Sequence, residues 1–176
     1  MTYIALLRGI NVSGQKKILM KELREMCVSL GFENVSTYLQ SGNVVFSAKK
    51  QKGEGFAKKL ETAINDTFGF DVPTLVIDSD YLGEVIGNNP FPRETANDPK
   101  MPYALFLYGP PDDSVGLEPP VNETASFVLG EQVVYIYYPD GAGRSKLTTN
   151  FFERKLKVRA TTRNWKTVLA LYDLAQ

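Results

Sequence analysis

The chain has 176 residues, of which 43% are apolar and 23% charged, with 20 basic and 20 acidic side chains and a formal net charge of zero. That is the composition of a soluble globular protein of one domain or two small subdomains, without the global basic field that steers nucleic acid. It contains no histidine and a single cysteine, Cys27, which excludes His-dependent nucleophile pairs, His- and thiolate-based metal sites and any intramolecular disulfide. No metal and no cofactor is expected. No run of about 18 apolar residues occurs, so no segment is expected to span a membrane. The N-terminus enters a strand directly and lacks a secretion signal. Together with the lone thiol this points to a reducing, cytoplasmic setting.

In chain order, Tyr3-Ile-Ala-Leu-Leu7 reads as a strand buried on both faces, and it opens into a loop carrying Arg8, Asn11, Ser13, Gln15, Lys16 and Lys17. Leu19, Leu23, Met26, Cys27 and Leu30 recur at helical spacing, with Gly31-Phe32 as the stop. Cys27 falls on the apolar face, where a thiol is an inert core residue. The runs 35–40 and 43–47 are strand-like, and Ser41-Gly42 between them predicts a tight hairpin. Phe56, Leu60, Ile64 and Phe68 mark a second amphipathic helix, stopped by Gly69-Phe70; 72–77 is a strand in which Pro73, near its start, marks an edge position or a strand beginning. Ser79 or Asp80 caps a short helix containing Leu82, Val85 and Ile86.

Strand, helix, strand, strand, helix, strand is the ferredoxin-like βαββαβ unit, in which the first strand is central. It is expected over 1–88. Four prolines within 89–102 mark a connector, long enough to serve as a lid or binding loop. Over 103–176 the pattern recurs: a strand at 103–108, a short helix within 112–118, a hairpin of 126–129 with 132–138 around Gly130-Glu131, a helix begun by the capping-box pair Asn150 and Glu153, and a last helix capped by Thr161 or Thr162. The fold class is therefore α+β with two subdomains, the second a related βαββα unit plus a C-terminal helix.

The charge is uneven. Between Arg144 and Lys166 eight basic residues accompany one acid, Glu153, whereas the preceding segment holds Asp112, Asp113, Glu118, Glu123, Glu131 and Asp140. Four polar clusters stand out: Arg8 with Asn11 and Lys16; Gln40, Ser41 and Asn43; Gly141-Ala-Gly-Arg-Ser-Lys146, with Arg144, Ser145 and Lys146; and Thr162, Arg163 and Asn164 at the expected start of the last helix. A helix N-terminus offers free backbone amides to an anion, and arginine offers a planar fork for phosphate or carboxylate. The 141–146 run is not a P-loop, because its lysine stands three residues beyond Gly143 and the order is wrong. Turn chemistry alone explains polar residues at 40–43 equally well.

Four segments, Tyr3-Ile-Ala-Leu-Leu-Arg-Gly-Ile-Asn-Val12, Thr37-Tyr-Leu-Gln-Ser-Gly-Asn-Val-Val-Phe46, Gly143-Arg-Ser-Lys-Leu147 and Ala160-Thr-Thr-Arg-Asn-Trp165, resemble the hallmark segments of one bacterial family, that of the domain of unknown function 1697. The resemblance runs end to end. The chain departs from the family in having Ser13-Gly14 where Gly-Gly is usual and Leu19 where proline is common. The resemblance implies a two-part α+β fold and no particular activity.

The expected function is binding of a phosphate-bearing small molecule or nucleotide in a cleft between the halves. Nucleic acid is the weaker candidate: the strand aromatics Tyr3, Tyr38, Phe46, Tyr135, Tyr137 and Tyr138 can stack bases in principle, but the RNP1 pattern is missing. Two alternatives stand beside it. One is a structural or protein-interaction role. The other is a metal-independent phosphate-ester or acyl-phosphate hydrolase, by fold analogy, with Arg8 holding the phosphoryl oxygens and Asn43 orienting water. Whether the chain is an enzyme is left open, as is its oligomeric state.

Overall fold

The computed structural model describes residues 1–112 and 116–176. The chain divides into two compact units, Met1–Glu84 with Ala170–Gln176, and Val85–Leu169. The 89–102 connector thus lies inside the second unit, where it carries a short helix, Pro92–Asn97.

In the first unit the elements are β1 (Thr2–Leu7), α1 (Met20–Ser29), β2 (Glu33–Tyr38), β3 (Asn43–Ser47), α2 (Gly53–Phe68), β4 (Thr74–Asp78) and the start of α3 (Ser79–Gly87). Their sheet order is β2-β3-β1-β4 with every neighbouring pair antiparallel, the ferredoxin-like arrangement. The uninterrupted apolar run of β1 explains its central place, since Tyr3 through Leu7 are all buried. Tyr3, Ala5 and Leu7 share a core with Leu23, Met26 and Cys27 of α1 and with Phe56, Leu60 and Ile64 of α2. Tyr3, Phe32, Phe46 and Phe56 form a ring cluster, closest between Phe32 and Phe46 at 4.2 Å. The Tyr3 hydroxyl is satisfied at its polar end, donating to the Gln51 carbonyl at 3.0 Å and accepting from the Gln51 amide at 3.1 Å.

The Gly-Phe stop of α1 is a Schellman motif. Gly31 lies at φ +82° and its amide donates to Val28, while the Phe32 amide reaches back to Cys27. β4 is an edge strand directly after Pro73. Two local expectations differ. The β2–β3 turn spans the four residues 39–42, because the last pair is Tyr38↔Asn43 and both Leu39 and Gly42 are left-handed, at φ +58° and +80°. The N-terminus of α3 is served by Asp78, whose Oδ1 accepts from the Tyr81 amide at 2.8 Å, in place of Ser79 or Asp80.

The second unit contains α4 (Pro92–Asn97), β5 (Pro102–Leu107), β6 (Ser126–Leu129), β7 (Val133–Tyr137), a 3-10 turn (Ala142–Arg144), α5 (Thr149–Leu156), β8 (Ala160–Asn164) and the start of α6 (Trp165–Leu174). Its sheet order, β6-β7-β5-β8, repeats that of the first, and again all neighbours are antiparallel. Leu105, Val134, Ile136, Phe151, Phe152 and Leu156 make its core.

The stretch expected to cap the last helix is instead strand β8, with Phe106↔Thr161, Leu105↔Thr162 and Ala104↔Arg163 in register. Paired threonines cap helices, but they also favour a pleated, half-buried surface, and pairing with β5 decides between the two. The capping box at Asn150 and Glu153 is also corrected. Thr148 Oγ1 accepts from the Phe151 amide at 3.2 Å, and Glu153 turns to the Ala160 amide at 2.8 Å. Of the short helix expected within 112–118, residues 113–115 lie outside the described residues, and 112 and 116–118 are not helical.

Gly42 is, with Gly53, one of the crowded glycine positions of the first unit. Its carbonyl accepts from the Leu7 amide at 2.8 Å. A Cβ there would lie 2.7 Å from Ile10 Cδ1 and 2.8 Å from Leu7 Cβ, and φ is +80°. Gly42→Ala therefore combines overpacking with left-handed strain and is expected to cost about 2–4 kcal/mol in urea unfolding, more than alanine at an open glycine such as Gly14.

Candidate functional site

At the end of the first sheet the chain leaves β1 at Arg8, whose amide donates to the Pro73 carbonyl at 2.9 Å. Between 9 and 16 five residues are left-handed: Gly9, Asn11, Ser13, Gly14 and Lys16, at φ +73°, +54°, +50°, +76° and +46°. Three of them carry side chains, which L-residues tolerate there only when held. Asn11 holds them. Its Oδ1 accepts from the Ile18 amide at 2.9 Å, and its Nδ2 donates to the Ile18 carbonyl at 3.0 Å and the Gln40 carbonyl at 2.8 Å. One carboxamide thus closes the loop on itself and fastens it to the β2–β3 turn. Buried Ile10 and Ile18 anchor the same loop from below, and Lys16 Nζ donates to the Asp71 carbonyl.

On the hairpin side Asn43 is fully buried at 0% exposure. Its Nδ2 donates to Tyr38 O at 2.7 Å and Ser41 Oγ at 3.0 Å. The structure therefore brings together Arg8, Asn11, Gln40, Ser41 and Asn43, but in different roles. Asn11 and Asn43 are braces, Arg8 is half-buried, and Gln40 and Ser41 are exposed. Asn43, sealed from solvent, cannot orient an attacking water, so the hydrolase reading loses its second residue.

In the second unit Arg144, Ser145 and Lys146 line a cavity of about 200 Å³ with Asn122, Glu123 and Asp140. The anion at this loop is the chain's own. Glu123 Oε2 accepts from the Lys146 amide at 2.7 Å, and its Oε1 accepts from the Ala125 amide at 3.0 Å. Lys146 Nζ turns onto Val121 O at 3.3 Å, and Ser145 Oγ accepts from the Leu147 amide at 3.0 Å. Arg144 is exposed. Burial alone would raise the Glu123 pKa, but hydrogen bonds from the Ala125, Lys146 and Thr124 amides and the Ser145 hydroxyl together hold it below the ordinary carboxylate value.

The remaining cluster is internal too. Thr162 Oγ1 and Thr149 Oγ1 share a hydrogen bond of 2.7 Å. Arg163 is buried, its Nη1 donating to Thr161 Oγ1 at 3.0 Å and Thr162 O at 2.9 Å. Burial lowers its pKa to about 10, against an opposing contribution from Tyr108. Asn164 Oδ1 accepts from the Thr167 amide at 2.9 Å and so supplies the cap of α6. With β8 a strand, no helix start stands behind the two threonines. Tyr3, Phe46, Tyr135 and Tyr138 are buried and present no open stacking face. Among the described residues no three Cys, Asp or Glu side chains gather to hold a metal.

Glu123 was legible only as one acid in an acidic segment. Its pairing with a loop more than twenty positions away is a tertiary fact. The family described as "Protein of unknown function (DUF1697)" matches residues 1–135. The conserved bacterial protein SP0830 from Streptococcus pneumoniae has a similar structure, with a TM-score of 0.72 and 24% sequence identity over 99% of this chain and 98% of its own. At that identity the likeness concerns the fold. No curated protein matches the chain.

The Glu123 contacts have a pH signature. A carboxylate whose folded pKa is depressed contributes stability above its unfolded pKa, and that contribution disappears as pH falls through the folded value. Glu123→Gln is expected to lower the melting temperature at neutral pH. The gap to the wild-type protein should close as pH is taken from about 7 to about 3. Melting curves across that range check it.

Proposed function

The chain belongs to the DUF1697 family, and from that premise we propose that it is a binding protein whose working surface is the fastened loop of the first unit and whose ligand is a phosphate-bearing small molecule or nucleotide. The observation that carries this reading is the rigid, strained presentation of polar side chains. Seven left-handed residues lie in 9–16 and 39–42, locked by one carboxamide. Such strain persists only where the surroundings over-determine it, and it clusters where a surface is pre-organised for a ligand. Ser13, Gln15, Lys17 and Gln40 are exposed on this surface, and their side chains make no hydrogen bond among the described residues. Arg8 and Lys16 add positive charge, and no acid occurs before Glu22 or between Asn34 and Glu54. A cationic, amide-rich surface of this kind suits a phosphate.

The 141–146 loop lends no support, because Glu123 already holds its amide. A second reading, in which the polar segments serve the fold alone, is favoured by the internal bonding of Asn43, Ser145, Lys146, Arg163 and Asn164. A cytoplasmic setting suits a chain whose one thiol, Cys27, is buried with its pKa raised by burial to about 12 and so resists oxidation. Among the described residues no helix is long and apolar enough to cross a membrane.

Thermal shift against inorganic phosphate, AMP and ATP at fixed ionic strength tests the first reading. A ligand at 100 times its Kd stabilises by about 2.7 kcal/mol, several degrees for a protein of this size. The shift is expected to vanish in Lys17→Glu, whose exposed position leaves the ligand-free melting temperature unchanged. Absence of any shift, or a shift that survives Lys17→Glu, supports the fold-only reading.

A further inference from the structure

The two sheets have four edge strands, and three of them are guarded. β2 carries a register irregularity between Glu33 and Ser36 with Asn34 at φ +51°, and Arg24 Nε of α1 donates to its Val35 carbonyl at 3.0 Å. On β4, the Thr74 amide is taken by Glu61 Oε1 at 2.9 Å. On β8, the Ala160 amide is taken by Glu153 Oε1 at 2.8 Å. Bulges and charged side chains of this kind are how sheets stop another strand from adding to an edge.

β6 has none of these devices. Its four residues, Ser126 to Leu129, contain no charge, proline or bulge, and the register to β7 is unbroken. The Gly130 amide donates to Val133 O at 2.7 Å, and the register continues as Leu129↔Val134 and Val128↔Tyr135. Antiparallel alternation then turns the backbone N–H and C=O of Phe127 and Leu129 away from β7. Among the described residues no hydrogen bond reaches these outward groups. The side chains favour company as well. Val128 is 44% and Leu129 38% exposed, on opposite faces of the strand, while Phe127 is held against Phe152 at 5.3 Å and keeps the strand in place.

We infer that the outer edge of β6 is a docking site for an extended peptide segment of another protein, added as a fifth strand, with alternating apolar residues between Lys or Arg ends. Backbone pairing to Phe127 and Leu129 supplies affinity, and apolar residues on alternate positions, which share one face of the added strand, meet Leu129 on the face it shares with Phe127. The ends are set by charge. Exposed Glu131 follows the strand, and exposed Asp140, joined to Thr124 by a 2.8 Å hydrogen bond, lies by the segment that precedes it, where Arg144 and Lys146 offset part of the acidity and Glu123 is already held by the Lys146 amide. A second copy of this chain, pairing antiparallel through the same strand, would bring these acids onto one another, whereas basic ends complement them.

The test uses the peptide Lys-Val-Thr-Val-Thr-Val-Lys, its Glu-ended counterpart, and amide hydrogen exchange read by NMR on the full chain. The Lys-ended peptide is expected to slow exchange at Phe127 and Leu129 about tenfold or more, leaving Val128, already paired to β7, unchanged. The Glu-ended peptide should protect much less. Leu129→Pro removes an outward N–H without touching a ladder bond and should abolish the protection. Leu129→Lys, which repels a basic end while keeping the backbone, provides the same check if the proline variant does not fold. No protection at millimolar peptide overturns the proposal. So does protection that grows with protein concentration in the absence of peptide and is lost in Leu129→Pro, which would assign the edge to a second copy.

Discussion

The carboxamide of Asn11 makes three hydrogen bonds, two to the backbone of Ile18 and one to Gln40, and the polar end of the first unit rests on them. The loop between β1 and α1 has five left-handed residues and, of its own, only an isolated bridge between Val12 and Gln15 with the Asn11 amide on the Lys16 carbonyl. Left to its local preferences it would not hold that path, because non-glycine residues at positive φ cost free energy individually. Closing the loop at Ile18 puts Ile10 and Ile18 into the core, and the third bond fixes the loop against the β2–β3 turn. Gly42 then has to be glycine, because the turn is pressed onto Leu7 and Ile10. Strain, burial and the missing side chain at 42 are consequences of the same fastening.

The second unit has the same strand order and solves a similar problem differently. Its basic, glycine-containing loop at 141–146 also follows a strand and also presents backbone amides. There the counter-charge is internal, and Glu123 accepts from the Lys146 amide. Hydrogen bonds of this charge-assisted kind are the stronger ones, so the loop is organised without a guest. Two sheets of the same strand order thus organise a loop in different ways, one fastened by a neutral amide, the other neutralised from within.

Much of the architecture was readable from local pattern. The unbroken run from Tyr3 to Leu7 marks a strand covered on both faces, Pro73 marks an edge, and Gly31-Phe32 marks a helix stop, because each is a short-range constraint on backbone or burial. What escaped was settled by partners distant in sequence. Thr161 and Thr162 look like caps until β5 pairs with them. Glu153 looks like half of a capping box until the Ala160 amide competes for it. Arg163 and Lys146 look like ligand-seeking cations until their carbonyl, hydroxyl and carboxylate neighbours are placed. For the candidate site, residue type pointed to Arg8, Asn11 and Gln40, but not to the division of labour among them. A brace and a binding residue differ only in whether the side chain faces inward, and that is a property of the assembled loop.

The polar end of the first unit depends most on Asn11 fastening the loop as a rigid part of the fold. Native-state amide exchange at Ile18, compared between the wild-type chain and Asn11→Gly, tests it directly; glycine removes the carboxamide while tolerating φ +54°. The wild-type Ile18 amide is expected to exchange through the same large opening as the amides of β1. In the variant it should exchange through a local opening lower in free energy by about 1–3 kcal/mol, with β1 unaffected. A wild-type Ile18 amide that exchanges as freely as exposed loop positions, or one indifferent to the substitution, would contradict it.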